Sequence, residues 1–109
     1  MIKALFSKNQ LGLCGFSISG HAMFDDYGRD IVCASVTSAT QLTCNAITEI
    51  LGVKATVNVL ENEIKLTLPK SSPKEVVDFL DALFLHLEIL SEEYKGTIKL
   101  KVLEVQQQC

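Results

Sequence analysis

Two side chains suited to proton transfer and nucleophilic attack stand twelve residues apart in the first third of the chain: His21, at the exit of an alternating apolar run, and Cys33, near the start of a helical pattern. With Asp30 as N-cap, its carboxylate accepts from the backbone N–H of the third helical residue, which is Cys33 itself. That places the thiol in the first turn, where unpaired N–H groups and the positive end of the helix dipole lower a thiol pKa from about 8.5 toward neutrality. A neighbouring imidazole would lower it further and then protonate a leaving amine. The same turn would offer N–H donors to a tetrahedral oxyanion. The loop from Ala22 to Gly28 is polar, with Gly20 and Gly28 as candidate hinges. Fully extended, the connection spans at most roughly 30 Å, so chain length permits the two side chains to meet.

Residue type alone favours a blander reading, because a cysteine set among Ile31, Val32 and Ala34 is more often a small buried hydrophobe. The remaining cysteines are weaker candidates. Cys14 shares the alternation of Phe16 and Ile18 and reads as core; Cys44 has no acid or base at helical spacing; Cys109 ends the chain. The spacings of 19, 11 and 65 fit no C-x-x-C metal or redox pattern, and a reducing compartment implies free thiols. His86 has no ligand-type neighbour, and the adjacent acids Asp25-Asp26 and Glu92-Glu93 read as solvated charge. No metal or cofactor is expected.

Periodicity defines the scaffold around His21 and Cys33. Ile2, Ala4 and Phe6 alternate in a first strand, Ser7 to Gln10 read as a turn, and Leu11 to Ser19 form a second strand. From Ile31 to Leu51 the period becomes helical, with Val32, Val36, Ala39, Ala46, Ile47 and Ile50 on one stripe and Gly52 as C-cap. Val53 to Leu60 and Glu63 to Leu68 form a hairpin turning at Glu61-Asn62. Ser72-Pro73-Lys74-Glu75 reads as a capping box opening a second helix that Gly96 ends, with Val76, Leu80, Leu83, Leu87, Leu90 and Tyr94 as its core stripe. Phe79, Phe84, Leu85 and Ile89 widen its apolar surface and predict a second packing partner. Thr97 to Val105 is the last strand, with Ile98, Leu100 and Val102 inward. The order ββαββαβ predicts an α+β two-layer sandwich, a mostly antiparallel sheet with both helices on one face.

A chain of 109 residues supports a single domain, residues 1–109, with one modest core. Its net charge of −3 and ten basic residues scattered along the sequence argue against nucleic acid as the main ligand and tolerate a basic partner. The N-terminus MIKALFSKNQ lacks the apolar core of a secretory signal, and no apolar run approaches the roughly 20 residues of a membrane span. A cytoplasmic location without membrane association is the expectation.

The segment GHAMFDDYGRDIVCASVTSAT resembles the signature of the bacterial ribosomal-processing cysteine protease family Prp: Gly-His-Ala, a variable loop, then Gly-x-Asp-Ile-Val-Cys-Ala. The length and element order agree with that family over essentially the whole chain. The resemblance implies a catalytic dyad of His21 and Cys33, with Asp30 shaping the active site and a loop that stays mobile until substrate binds. It departs from the family pattern at Thr37, where serine is usual; the hydroxyl is kept, and Ser38 is a possible substitute. It further implies a homodimer that removes a short N-terminal extension from the twenty-seventh protein of the large ribosomal subunit. The alternative from a different class is a non-catalytic ribosome-assembly factor that binds that protein's basic N-terminal segment. A thiol redox sensor is a third reading, and it requires Cys33 to lie near another cysteine.

Overall fold

The computed structural model describes residues 1–20 and 27–105, with the side chains of 27–30 excepted. Strands β1 (Ile2–Asn9), β2 (Gly12–Ser19), β3 (Thr56–Leu60), β4 (Glu63–Thr67) and β5 (Ile98–Glu104) form one sheet in the order β3-β4-β2-β1-β5. Helix α1 (Tyr27–Asn45) runs into a π-helical turn (Ala46–Ile50), and α2 (Glu75–Glu93) precedes β5. The chain is thus the expected α+β fold with order ββαββαβ. All strand pairs are antiparallel except β1 with β5, which is parallel because α2 crosses between β4 and β5.

One face of the sheet holds the core. Ile2, Ala4, Phe6, Phe16, Ile18, Leu66 and Ile98 are buried against Val32, Val36 and Ile47 and against the α2 stripe Val76, Leu80, Leu83, Leu87 and Leu90. Phe6 is fully buried at its centre, tilted against Phe16 at 5.7 Å and edge-on to Phe84 at 5.2 Å between ring centroids. Phe84 is therefore partly a core residue. Of the apolar excess read from the sequence, Phe79, Leu85 and Ile89 remain exposed.

Several boundaries depart from expectation. β1 runs through Ser7 and Lys8 to Asn9 by way of a bulge, so the first turn shrinks to Gln10-Leu11, where Leu11 N–H donates to Asn9 Oδ1 at 2.8 Å. Gly12 closes it at φ +124°. α2 begins at Glu75 with no side-chain cap; Val76 N–H to Pro73 O and Val77 N–H to Lys74 O tighten its entry instead of a Ser72 capping box. Tyr94 lies past the end of α2 and is exposed, and Val102 is exposed because β5 is an edge strand. Ile50 leaves the buried stripe because the π turn, marked by Leu51 N–H to Ala46 O, inserts a residue and rotates the side chains beyond it. Before that turn, Thr40 and Thr43 are also buried, each returning its hydroxyl to the carbonyl four residues earlier. Gly52 caps the end as expected, at φ +68° with Val53 N–H on Ile47 O.

Because Phe6 touches both neighbouring strand and helix rings, Phe6→Ala is expected to cost about 3–5 kcal/mol. Urea unfolding of the variant measures this as a lowered midpoint at unchanged slope.

Candidate active site

Cys33 is half-buried on α1 and packs against the core edge beside fully buried Val32. It is the seventh residue of a helix that begins at Tyr27, which corrects the expectation of a first-turn thiol. Asp30 is the fourth helical residue rather than the N-cap, and Gly28 lies within the helix rather than at a loop hinge. At 1.5 Å per residue, Cys33 sits roughly 9 Å along the axis from the helix start. There the dipole has largely faded and its N–H is committed to the helix ladder, so neither serves a thiolate or an oxyanion.

The thiol instead opens onto a groove of about 240 Å³ at one end of the sheet. Ile2, Ile18 and Ile64 line it from the sheet, and Val36, Thr37 and Gln41 from α1. Val59 and Leu60 form its outer wall, with Glu61, Asn62 and Glu63 of the β3–β4 turn at the rim. Cys33, Thr37 and Gln41 share a wall because residues four apart stack on one helix face. Ser38 is exposed and is not among the groove residues.

Gly20 completes this end. Its N–H donates to Asn62 O at 3.1 Å, which ties the exit of β2 to the β3–β4 turn. Its φ is +83°, and a Cβ there would stand 2.6 Å from Met1 O. Glycine is thus required both by backbone conformation and by the close approach of the N-terminus. His21, the next residue, lies outside the described residues, as does the Ala22–Asp26 part of the predicted loop.

Of the other cysteines, Cys44 is a free thiol and burial pushes its pKa up. Cys33 and Cys44 are eleven residues apart on α1, about 16 Å along the axis, so the two cannot pair within one chain. Cys14 is buried on β2 as expected, but it is disulfide-bonded rather than free. Cys109 lies outside the described residues. The groove residues of the β3–β4 turn escaped sequence reasoning, because their hairpin was legible but its place beside Cys33 is a matter of strand order.

A profile described as cysteine protease Prp matches residues 1–99. The chain belongs to the Prp family of cysteine proteases. The ribosomal processing cysteine protease Prp of Bacillus subtilis is 24% identical over 106 residues, covering 91% of this chain and 95% of the relative. A Streptococcus mutans protein of known structure superposes with a TM-score of 0.86 at 25% identity, over 96% of both chains. The Staphylococcus aureus Prp with a covalently linked product peptide superposes at 0.83 with 25% identity, over 94% of this chain and 99% of that one. The same S. aureus protease with a substrate peptide superposes at 0.84 with 24% identity, over 94% and 99%. This chain is accordingly a cysteine peptidase of the ribosomal-processing Prp family with the family's fold. Among the described residues no helix is long and apolar enough to cross a membrane.

Gly20→Ala is expected to lower stability by about 1–3 kcal/mol through left-handed strain and the clash with Met1 O. Urea unfolding checks the loss, and peptide cleavage should fall with it because the residue leading into His21 is displaced.

Proposed function

We propose that His21 and Cys33 are the catalytic dyad of an endopeptidase that trims the N-terminal extension of the twenty-seventh large-subunit ribosomal protein. The observation that carries this reading is the groove shared by Cys33 and Gly20, since His21 follows Gly20 by a single peptide bond. His21 takes the proton from the Cys33 thiol, and the thiolate adds to the scissile carbonyl. Collapse of the tetrahedral adduct expels the amine, which receives the proton from His21. Water, deprotonated by the same imidazole, then hydrolyses the thioester and returns the free thiol.

An extended peptide suits the groove, whose walls are aliphatic and whose rim carries Glu61, the Glu63 carboxylate being turned to Ser17 on the other face of the sheet. Apolar side chains would bury against Val59, Leu60 and Ile64, and the acidic rim favours a basic stretch. Thr37 lies four residues beyond Cys33 and lines the same wall of the groove. Asp30 and Gly28, in the first turn of α1, belong to the support of the loop that leads to it. The exposed Phe79, Leu85 and Ile89 on α2 support a homodimer through that face. A cytoplasmic setting, where ribosomes assemble, accords with this substrate.

The test is incubation with a peptide spanning the precursor's cleavage site, read by mass spectrometry. Cys33→Ala and His21→Ala are each expected to lose cleavage by at least about a thousandfold. Full turnover by either variant rules out the dyad, and binding of the peptide by wild type without any cut would make the chain an assembly factor instead.

A further inference from the structure

The face of the sheet turned away from the helices carries a charge pattern that proteolysis does not use. Parallel pairing of β1 with β5 sets Lys3 directly opposite Lys99 and Leu5 opposite Lys101. Across β2, Lys65 pairs with Ser17. All four lysines are exposed, and none forms an ion pair among the described residues. Lys3, Lys99 and Lys101, with Ser17 and Ser19, line a shallow depression of about 260 Å³. The acid on this face is Glu63, and it already accepts a hydrogen bond from Ser17.

Like charges placed directly opposite in a ladder are destabilising. A chain with thirteen acids and a net charge of −3 nevertheless leaves this cluster uncompensated. Six of those acids, Glu75, Asp78, Asp81, Glu88, Glu92 and Glu93, lie on α2, on the other side of the sheet. The sequence conceals the cluster, because Lys3 and Lys99 lie at opposite ends of the chain and meet only through the β1–β5 pairing. Basic residues that look scattered along the chain, and so argue against a nucleic acid ligand, are gathered by strand order onto one surface.

We propose that this open sheet face, centred on Lys3, Lys99 and Lys101, docks the phosphodiester backbone of RNA. Ammonium groups on neighbouring strands face a line of regularly spaced phosphates, and the Ser19 hydroxyl adds a donor, the Ser17 hydroxyl being committed to Glu63. Among the described residues this face carries no aromatic platform for bases, so the recognition proposed is of the backbone and independent of sequence. The choice of RNA over other phosphodiesters rests on the ribosomal substrate proposed above; the charge geometry does not depend on it. Bound this way, the protein would be held on ribosomal RNA while its groove, at one end of the same sheet, meets a ribosomal protein.

The experiment is fluorescence anisotropy of a labelled single-stranded 12-nucleotide RNA of mixed sequence, titrated with the full chain across a series of salt concentrations. Three phosphate contacts predict a slope of about −2 for log affinity against log salt. Replacing Lys3, Lys99 and Lys101 together by glutamine should weaken binding at least about tenfold and flatten that slope. Replacing Lys70, Lys74 and Lys95, which lie off this face, should leave binding unchanged. Lys99→Gln alone, expected to weaken binding partially, covers the case in which the triple variant fails to fold.

No measurable RNA binding, or equal binding by a folded triple variant, overturns the proposal. So does equal competition by inorganic phosphate or polyglutamate at matched charge, or salt-sensitive self-association that the triple variant abolishes. Cleavage of the precursor peptide by the triple variant should stay at the wild-type level. Loss of RNA binding with cleavage intact therefore separates this proposal from the proteolytic reading, and cleavage by Cys33→Ala would overturn only the latter.

Discussion

The active end of this molecule depends on the burial of Val32 and Val36 against the sheet. With those two side chains fully enclosed, the rotation of α1 about its axis is set, and each neighbour's exposure is fixed by a turn of roughly 100° per residue. Cys33 falls at the boundary of the buried arc, Thr37 and Gln41 just beyond it. The thiol is therefore held by packing on one side and open to a groove on the other. A nucleophile needs both properties, a fixed position and access to substrate.

The facing wall is fixed by backbone rather than by side chains. Gly20 bonds to Asn62, its left-handed φ admits the N-terminus of β1 alongside, and the β3–β4 turn is drawn against the exit of β2. Helix wall and turn thus converge without a salt bridge or metal among the described residues. The early start of α1 alters the chemistry this arrangement can perform. With Cys33 nearly two turns inside the helix, the dipole contributes little, and the proposed mechanism assigns activation of the thiol to His21.

Much of this was legible in the sequence. Alternation in β1, β2 and β4 reflects one wet and one dry sheet face, and Gly52 and Gly96 mark helix ends at positive φ. What escaped were features decided by tertiary contacts. Tyr27 to Asp30 contains Gly28 and Asp30, which favour a loop by propensity, yet the helix extends through them. The π turn at Ala46 displaced Ile50 from the core, and strand order decided both the groove beside Cys33 and the lysine cluster on the opposite face. At the site, motif and residue type single out His21 and Cys33, the proposed dyad, whereas Gln41 and the β3–β4 turn carry no chemical signature of their own.

The proposed activation of Cys33 by His21 is tested by the pH dependence of Cys33 alkylation with iodoacetamide. In the wild-type protein the rate should already be high at neutral pH, and His21→Ala should lower it there to the rate of an ordinary free thiol. Superimposable profiles for the two proteins would contradict a His21–Cys33 dyad.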